Sequence, residues 1–276
     1  MEKLVEKKYR MIDYYDIGLN LFCRQFKDPE KIIKEAEENK VCCILTGADM
    51  KDDEKVNKYL LNRGKADYPV YGTAGIHPHN ADGASEKDFK RIREIIKTNP
   101  KVVAVGEAGL DYNRMFSEKN NQLNCLKKQI EIAEELGYPM FLHERDAAED
   151  FIKIFKEHRS VAERSVVHCY TGNKKELEEL LELGFSIGIT GWILDNRRAD
   201  DLRDAVEILP LSRVLIETDA PYLIPRGIKG LGSVNVPQNI VYVARALAGY
   251  MKVDEEELKK AARDNTERVF KLCTSY

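Results

Sequence analysis

Eight short apolar runs, each followed by a longer charged segment, constrain this chain more than any other feature. The runs cover residues 11–17, 41–46, 70–76, 102–106, 139–143, 165–169, 185–190 and 214–218. They are rich in Val, Ile and Cys, and most are too short to be independent helices, so they read as strands. Segments with helical spacing lie between them, at 29–39, 52–63, 85–97, 121–136, 147–157, 174–183 and 199–208. In 121–136, for instance, Leu123, Leu126, Ile130, Ile132, Ala133 and Leu136 make one apolar stripe, and Glu and Lys fill most of the other face. Asn39, Gly64, Gly137 and Gly184 supply helix stops.

Eight strand–helix units without a linker or a break in composition predict an α/β protein of the TIM (β/α)₈ barrel type. The 276 residues suit that fold, which takes ~250. A doubly wound open sheet is the alternative, and the regular count of eight favours closure. Two further helices, 237–250 and 254–272, would complete the outer ring. The whole chain, 1–276, reads as one domain, with 1–10 as an extension ahead of the first strand.

Composition narrows the functions open to such a barrel. A hydrophobic content of 43% excludes a disordered chain. No stretch approaches the ~20 apolar residues of a membrane span. The opening MEKLVEKKYR lacks the apolar core of a secretory signal, so a cytoplasmic protein is expected, or a nuclear one in a eukaryote. Lys+Arg number 44 against Asp+Glu 47, a net charge of −3. That balance excludes a strongly basic binding module but allows an enzyme with a local basic rim. The six cysteines, at 23, 42, 43, 125, 169 and 273, form no C-x-x-C pair and read as reduced, mostly buried thiols. Cys42 and Cys43, adjacent in one strand, should face opposite sides of it.

Active sites of such barrels form where the strands end. The first run ends at Asp16, with Asn20 beyond it; the third leads into His77-Pro78-His79, the fourth into Glu107 and the fifth into His143. The sixth leads into His168, the seventh into Thr190-Gly191-Trp192 and the eighth into Asp219. One such histidine is commonly structural, and one such aspartate commonly caps a helix. A closed barrel, however, gathers all eight exits around one rim. Two histidines and a glutamate from successive strands then form a ligand set for Zn²⁺, Mn²⁺ or Mg²⁺, which points to a metal-dependent hydrolase. His158, the fifth histidine, ends a charged helix and reads as solvated surface.

The segments around these exits resemble the TatD family of metal-dependent deoxyribonucleases. They are GIHPH (75–79), VGEAGLDYNR (105–114), PMFLHERDA (139–147), VVHCYTG (166–172), IGITGWILDNRR (187–198) and LIETDAPYLIPR (215–226). The branch most similar begins D-I-G-x-N, as 16–20 does here. The resemblance implies a TIM barrel of the amidohydrolase-like superfamily that cleaves phosphodiester bonds with one or two divalent metal ions (Mg, Mn or Zn). It implies Glu107, His143 and His168 as metal ligands and Asp219 as the carboxylate that positions or deprotonates the attacking water. His77 matches a histidine lining the same site, where it would protonate the leaving oxygen, bond the phosphate, or act as an outer ligand; His79 would shape the loop. Arg145, Trp192 and Arg226 are the candidate substrate contacts, with Arg197, Arg198 and Lys229 adding to a basic rim. Arg145 has the alternative of pairing with Glu144 or Asp146, and Trp192 that of packing in the rim.

Two departures from the family pattern stand out. Many relatives begin D-x-H-x-H, whose histidines hold a second metal, whereas Gly18 and Asn20 occupy those positions here. A second site would then rest on Asp16, Asn20 and Asp219 together with Glu107 and water. The family's R-N-E-P appears as Val234-Asn235-Val236-Pro237, without the Arg and the Glu, so Arg226 or Lys229 would have to hold the phosphate. The expected activity is 3′→5′ exonuclease cleavage of single-stranded DNA, or of RNA, by a monomer. The same ligands would serve an ester or amide hydrolase such as an aminoacyl-tRNA deacylase, and the two departures would suit a catalytically weak binding protein.

Overall fold

The apolar runs pair side by side in chain order. The computed structural model describes residues 12–64 and 68–272; Met11, Cys273 and the extension 1–10 lie outside the described residues. Its strands are β1 (Tyr14–Leu19), β2 (Val41–Leu45), β3 (Val70–Ala74), β4 (Val102–Asp111), β5 (Met140–Arg145), β6 (Val166–Val167), β7 (Ser186–Ile189) and β8 (Val214–Ile216). Each pairs in parallel with the next, in the order β1 to β8. The outer strands also meet. Leu19 bridges Ala220, Asn20 N–H donates to the Ala220 carbonyl at 2.9 Å, and Thr218 N–H donates to Asp16 Oδ1 at 2.8 Å. The sheet is thus a nearly closed barrel, and the open doubly wound alternative falls, because that fold reverses its strand order.

Side-chain alternation sorts the core into two layers. Tyr15, Ile17, Cys42, Ile44, Phe141 and Leu215 cluster within the barrel, while Val41, Cys43 and Leu45 join the larger cluster beneath the helices. Cys42 and Cys43 therefore face opposite sides. All the described cysteines are free thiols.

The helices begin where local chemistry lets them begin. α1 (Pro29–Glu38) and α2 (Met50–Asn62) are capped by Asp28 and Asp49, whose carboxylates accept first-turn N–H groups. α3 (Glu86–Thr98) starts with a Ser85–Asp88 capping box, and α4 (Lys119–Leu136) stops at left-handed Gly137. α5 (Ala148–Glu157), α6 (Arg159–Ala162), α7 (Lys174–Glu182), α8 (Asp200–Ala205), α9 (Ile240–Met251) and α10 (Glu255–Val269) complete the outer layer. No helix among the described residues is long and apolar enough to cross a membrane.

Several boundaries depart from the sequence reading; β6, for one, covers only Val166–Val167 of the run 165–169. α6 is too short to show a helical period. The helix expected over 199–208 divides into α8 and a 3-10 turn, Val206–Ile208. Most important for the site, β4 continues to Asp111 instead of stopping at 106. Its register against β5 shifts between Val105 and Ala108, after which Ala108, Gly109, Leu110 and Asp111 pair with Leu142, His143, Glu144 and Arg145. Gly109 permits that pairing: its φ is +150°, and a Cβ there would collide with the His143 carbonyl. Glu107 and His143 therefore lie inside strands and not beyond their ends.

Candidate active site at the mouth of the barrel

One carboxylate oxygen organises the mouth. Glu107 Oε1, from β4, lies 2.8 Å from His168 Nε2, 3.2 Å from His77 Nε2 and 3.2 Å from His143 Nδ1. His77 follows β3, His143 belongs to β5 and His168 follows β6, so four consecutive strands deliver the four groups. Glu107, His77 and His168 are buried. The β3 exit is clamped from outside. Asp53 Oδ2 on α2 accepts the Gly75 N–H at 2.9 Å. The Gln129 side chain on α4 accepts from Ile76 N–H at 2.8 Å and donates to its carbonyl at 3.0 Å.

Two further carboxylates, Asp111 and Glu217, decide what the imidazoles of His143 and His168 present. Asp111 Oδ2 lies 3.2 Å from His143 Nε2 and 2.7 Å from His79 Nε2. Glu217 Oε2 lies 3.3 Å from His168 Nδ1. An ionised carboxylate only accepts, so these contacts keep protons on His143 Nε2 and His168 Nδ1. The lone pairs of a neutral His143 and His168 are then Nδ1 and Nε2, the atoms that face Glu107. His77 is arranged the other way. Its Nδ1 accepts the His79 backbone N–H at 3.0 Å, so a neutral His77 carries its proton on Nε2 and turns that proton toward Glu107.

The electrostatics follow the same division. Burial pushes His77 down to about 4, despite the opposing pull of Glu107, so it is neutral at ordinary pH. Burial disfavours charge on His168 as well, yet Glu107 and Glu217 outweigh it and hold the pKa well above the usual histidine range. His143 is also raised, against its burial, by Asp111 and Glu107. Burial acts to raise Glu107 too, but the surrounding imidazoles draw it well below the usual carboxylate range.

His77, Glu107 and His143 each offer a ligand atom within 4.8 Å of the others, and His168 touches the same Glu107 oxygen. A carboxylate and two imidazole lone pairs, oriented by further carboxylates, suit a divalent cation. The donor chemistry assigns His143 and His168 to that role more readily than His77, whose inward nitrogen carries the proton.

Asp219, just after β8, stands beside this group with a left-handed backbone (φ 51°). Its Oδ1 accepts from Asn20 Nδ2 at 2.9 Å. Burial pushes its pKa up to about 8, His168 opposing and Glu107 and Glu217 reinforcing the shift. Asp16 is committed elsewhere: Oδ1 accepts Thr218 N–H at 2.8 Å, and Oδ2 accepts the Thr218 hydroxyl at 2.5 Å. Asn20 turns its amide nitrogen, not its oxygen, toward Asp219, and its Oδ1 faces the Thr46 hydroxyl at 3.5 Å. Gly18 has a local reason, since a Cβ there would run into Glu217 Oε2. Asn235 is fully buried and donates to the Thr218 carbonyl at 3.0 Å, so it fastens the segment that carries Asp219.

On the rim, Trp192 is only 8% exposed. Arg198 and Arg145 place guanidinium carbons 3.5 Å and 4.7 Å from the centre of its ring system, so the indole supports two arginines. Arg145 also donates to the Thr171 hydroxyl at 2.9 Å, and its nearest approach to Asp146 is 4.0 Å. Glu144 instead accepts the Ala147 N–H. Arg197, Arg198 and Arg226 converge on Asp195 at 2.6, 3.0 and 3.2 Å. Beside them opens a cleft of about 390 Å³ between the loops after β7 and β8, with Tyr222 and Arg226 in its wall. Lys229 is exposed. His158, remote from the mouth, pairs with Glu134 at 2.8 Å.

Asp111 and Glu217 had no part in the sequence reading. Both signals were present: each lies in a segment that carries the family resemblance, and Glu217 precedes Asp219 by two residues, which is strand spacing for one face.

Comparison with known proteins gives the family. A family model described as TatD related DNase matches residues 15–271. The chain is 37% identical over 267 residues to the 3′-5′ ssDNA/RNA exonuclease TatD of Erwinia billingiae, a match covering 94% of this chain and 99% of that protein. It is 40% identical over 264 residues to the protein of the same name from Yersinia pseudotuberculosis, with 94% and 99% covered. Among solved structures, YJJV, a TatD homologue from Escherichia coli K12, superposes with a TM-score of 0.84 at 27% identity, covering 95% of this chain and 99% of that one. A TatD family hydrolase from Entamoeba histolytica gives 0.82 at 25% identity, covering 94% and 98%.

Proposed function

The chain belongs to the TatD-related DNase family, and from that membership we propose that it is a metal-dependent nuclease releasing nucleotides from the 3′ end of single-stranded DNA or RNA. The observation that carries the reading is Glu107 Oε1, with the lone-pair nitrogens of His143 and His168 at 3.2 and 2.8 Å. The relatives named above supply the substrate and the polarity.

Glu107, His143 and His168 would hold one divalent ion, Mg²⁺, Mn²⁺ or Zn²⁺. Bound there, it would supply Lewis-acid chemistry, lowering the pKa of a water and offsetting charge at a phosphate oxygen. One ion is favoured over two because both Asp16 oxygens are already bonded to Thr218 and Asn20 presents its nitrogen. Asp219, steadied by Asn20, would be ionised with a cation bound beside it, and in that form it orients the attacking water and accepts its proton. His77, its Nε2 proton held inward by the His79 N–H, donates a hydrogen bond to the phosphate or to the leaving oxygen. Arg145 and Arg226 meet the phosphates of the strand, and Trp192 keeps Arg145 in place.

The test is digestion of a 5′-labelled single-stranded oligonucleotide by metal-stripped protein. A ladder shortened from the 3′ end should appear only when Mg²⁺ or Mn²⁺ is restored. Equal digestion after exhaustive chelation would overturn the reading.

A further inference from the structure

Four large hydrophobic side chains are exposed among the described residues, and three of them, Met115, Phe116 and Tyr222, stand at the mouth; Leu61, on α2, is the fourth. Phe116 is 66% and Tyr222 48% exposed. Single exposed apolar residues are ordinary, but these two have a defined relation to the site. Phe116 follows β4, and its ring lies 4.8 Å from that of His79, which lies 4.2 Å from that of His77. Tyr222 follows β8, and its N–H bonds the Asp219 carbonyl at 2.9 Å. In a barrel ordered β1 to β8, β4 and β8 stand on opposite sides. Two exposed aromatic rings therefore flank the Glu107 cluster across the mouth.

The charge around them is unequal. Near Tyr222, three guanidinium groups share the single carboxylate of Asp195, and the cleft there is lined by Tyr222, Leu223, Arg198 and Arg226. Near Phe116, Lys119 is neutralised by Asp150 at 2.7 Å, which leaves the exposed Arg114 as the cation there, with the carboxylate of Asp111 below. A polyanion running on from the site is favoured on the tyrosine side, and a single terminal residue on the phenylalanine side.

We infer that Phe116 and Tyr222 are the two base-stacking platforms of the site, the 3′-terminal base lying on Phe116 and the penultimate base on Tyr222, with the scissile phosphate over Glu107 between them. The inference rests on the nuclease reading and extends it to where each base sits. It also gives a physical reason for single strands: neighbouring bases parted onto opposite walls cannot remain stacked and paired in a duplex. Aromatic faces accept any base, so little sequence preference follows.

The test is steady-state cleavage by the metal-loaded protein of three single strands: unmodified, abasic at the 3′-terminal position, and abasic at the penultimate position. Wild-type cleavage of the unmodified strand comes first; its absence would remove the nuclease reading itself. Phe116→Ala should raise KM on the unmodified strand by about 5- to 100-fold and add nothing on the strand abasic at its terminus. Tyr222→Ala should do the same on the unmodified strand and add nothing on the strand abasic at the penultimate position. Phe116→Tyr and Tyr222→Phe should restore KM, with kcat little changed in every variant. Equal penalties on all three strands, or penalties paired with the opposite positions, would overturn the inference.

Discussion

Glu217 faces the outer nitrogen of His168 at 3.3 Å while its second oxygen accepts the Cys169 N–H at 2.6 Å. The carboxylate is fully buried, and Gly18 and Gly188 leave the room it occupies, because a Cβ on either would meet its oxygens. The glycine at 18 is thus matched to a carboxylate that faces His168, the residue proposed above as a metal ligand. Glu217→Gln puts an amide nitrogen within reach of His168 Nδ1 and loosens its tautomer. Mn²⁺ affinity, measured by titration calorimetry, should fall about 10- to 100-fold with the circular dichroism unchanged. Unchanged affinity would mean that Glu217 does not orient the ligand.

His77 and His168 touch the same oxygen but present opposite chemistry to it. His77→Ala should lower kcat about 10²- to 10³-fold, the usual range for loss of a preorganised hydrogen-bond donor, while Mn²⁺ affinity stays within a few-fold of wild type. His168→Ala should lose the metal itself. A His77→Ala protein that no longer binds Mn²⁺ would reassign His77 as a ligand.

Asp53 links stability to pH. Its Oδ1 is buried without a hydrogen-bond partner, and burial raises its pKa well above the usual value, the Gly75 N–H opposing and Asp49, Asp52 and Glu54 adding to the rise. The folded chain therefore keeps this proton after the unfolded chain, with a pKa of about 3.9, has released it. From that pH upward to the raised folded value, stability falls as pH rises. Asp53→Asn removes the penalty: its Tm should match wild type near pH 4 and exceed it by a margin that grows as the pH rises from there. A constant difference across that range would show that Asp53 does not titrate as described.

The barrel was legible because its two periods are local. Strand runs and amphipathic stripes alternate in the sequence itself, and the helices expected from 29 and from 85 begin within a residue of those positions. The extent of β4 was not legible, because residues 106–109 read Gly-Glu-Ala-Gly, with no β-branched or aromatic side chain, and are held as strand by pairing with β5. The histidines, Glu107 and Asp219 could be read from their places beside apolar runs. What they present to one another could not, since the proton positions depend on Asp111, Glu217 and the His79 N–H, contacts that only the closed barrel creates. Trp192 illustrates the same limit: its position on the rim was evident, but its cover of two arginines was not.

On the proposed function, Glu107 and the imidazoles around it would hold the metal that makes this chain a nuclease. The most direct measurement is Mn²⁺ titration of metal-stripped wild type and Glu107→Gln, following release of 3′ nucleotides from a single-stranded oligonucleotide together with bound metal. Wild type should gain activity in step with binding of one ion per chain, and Glu107→Gln should bind weakly and cleave at background. Cleavage without bound metal, or a Glu107→Gln protein as fast as wild type, would contradict the account.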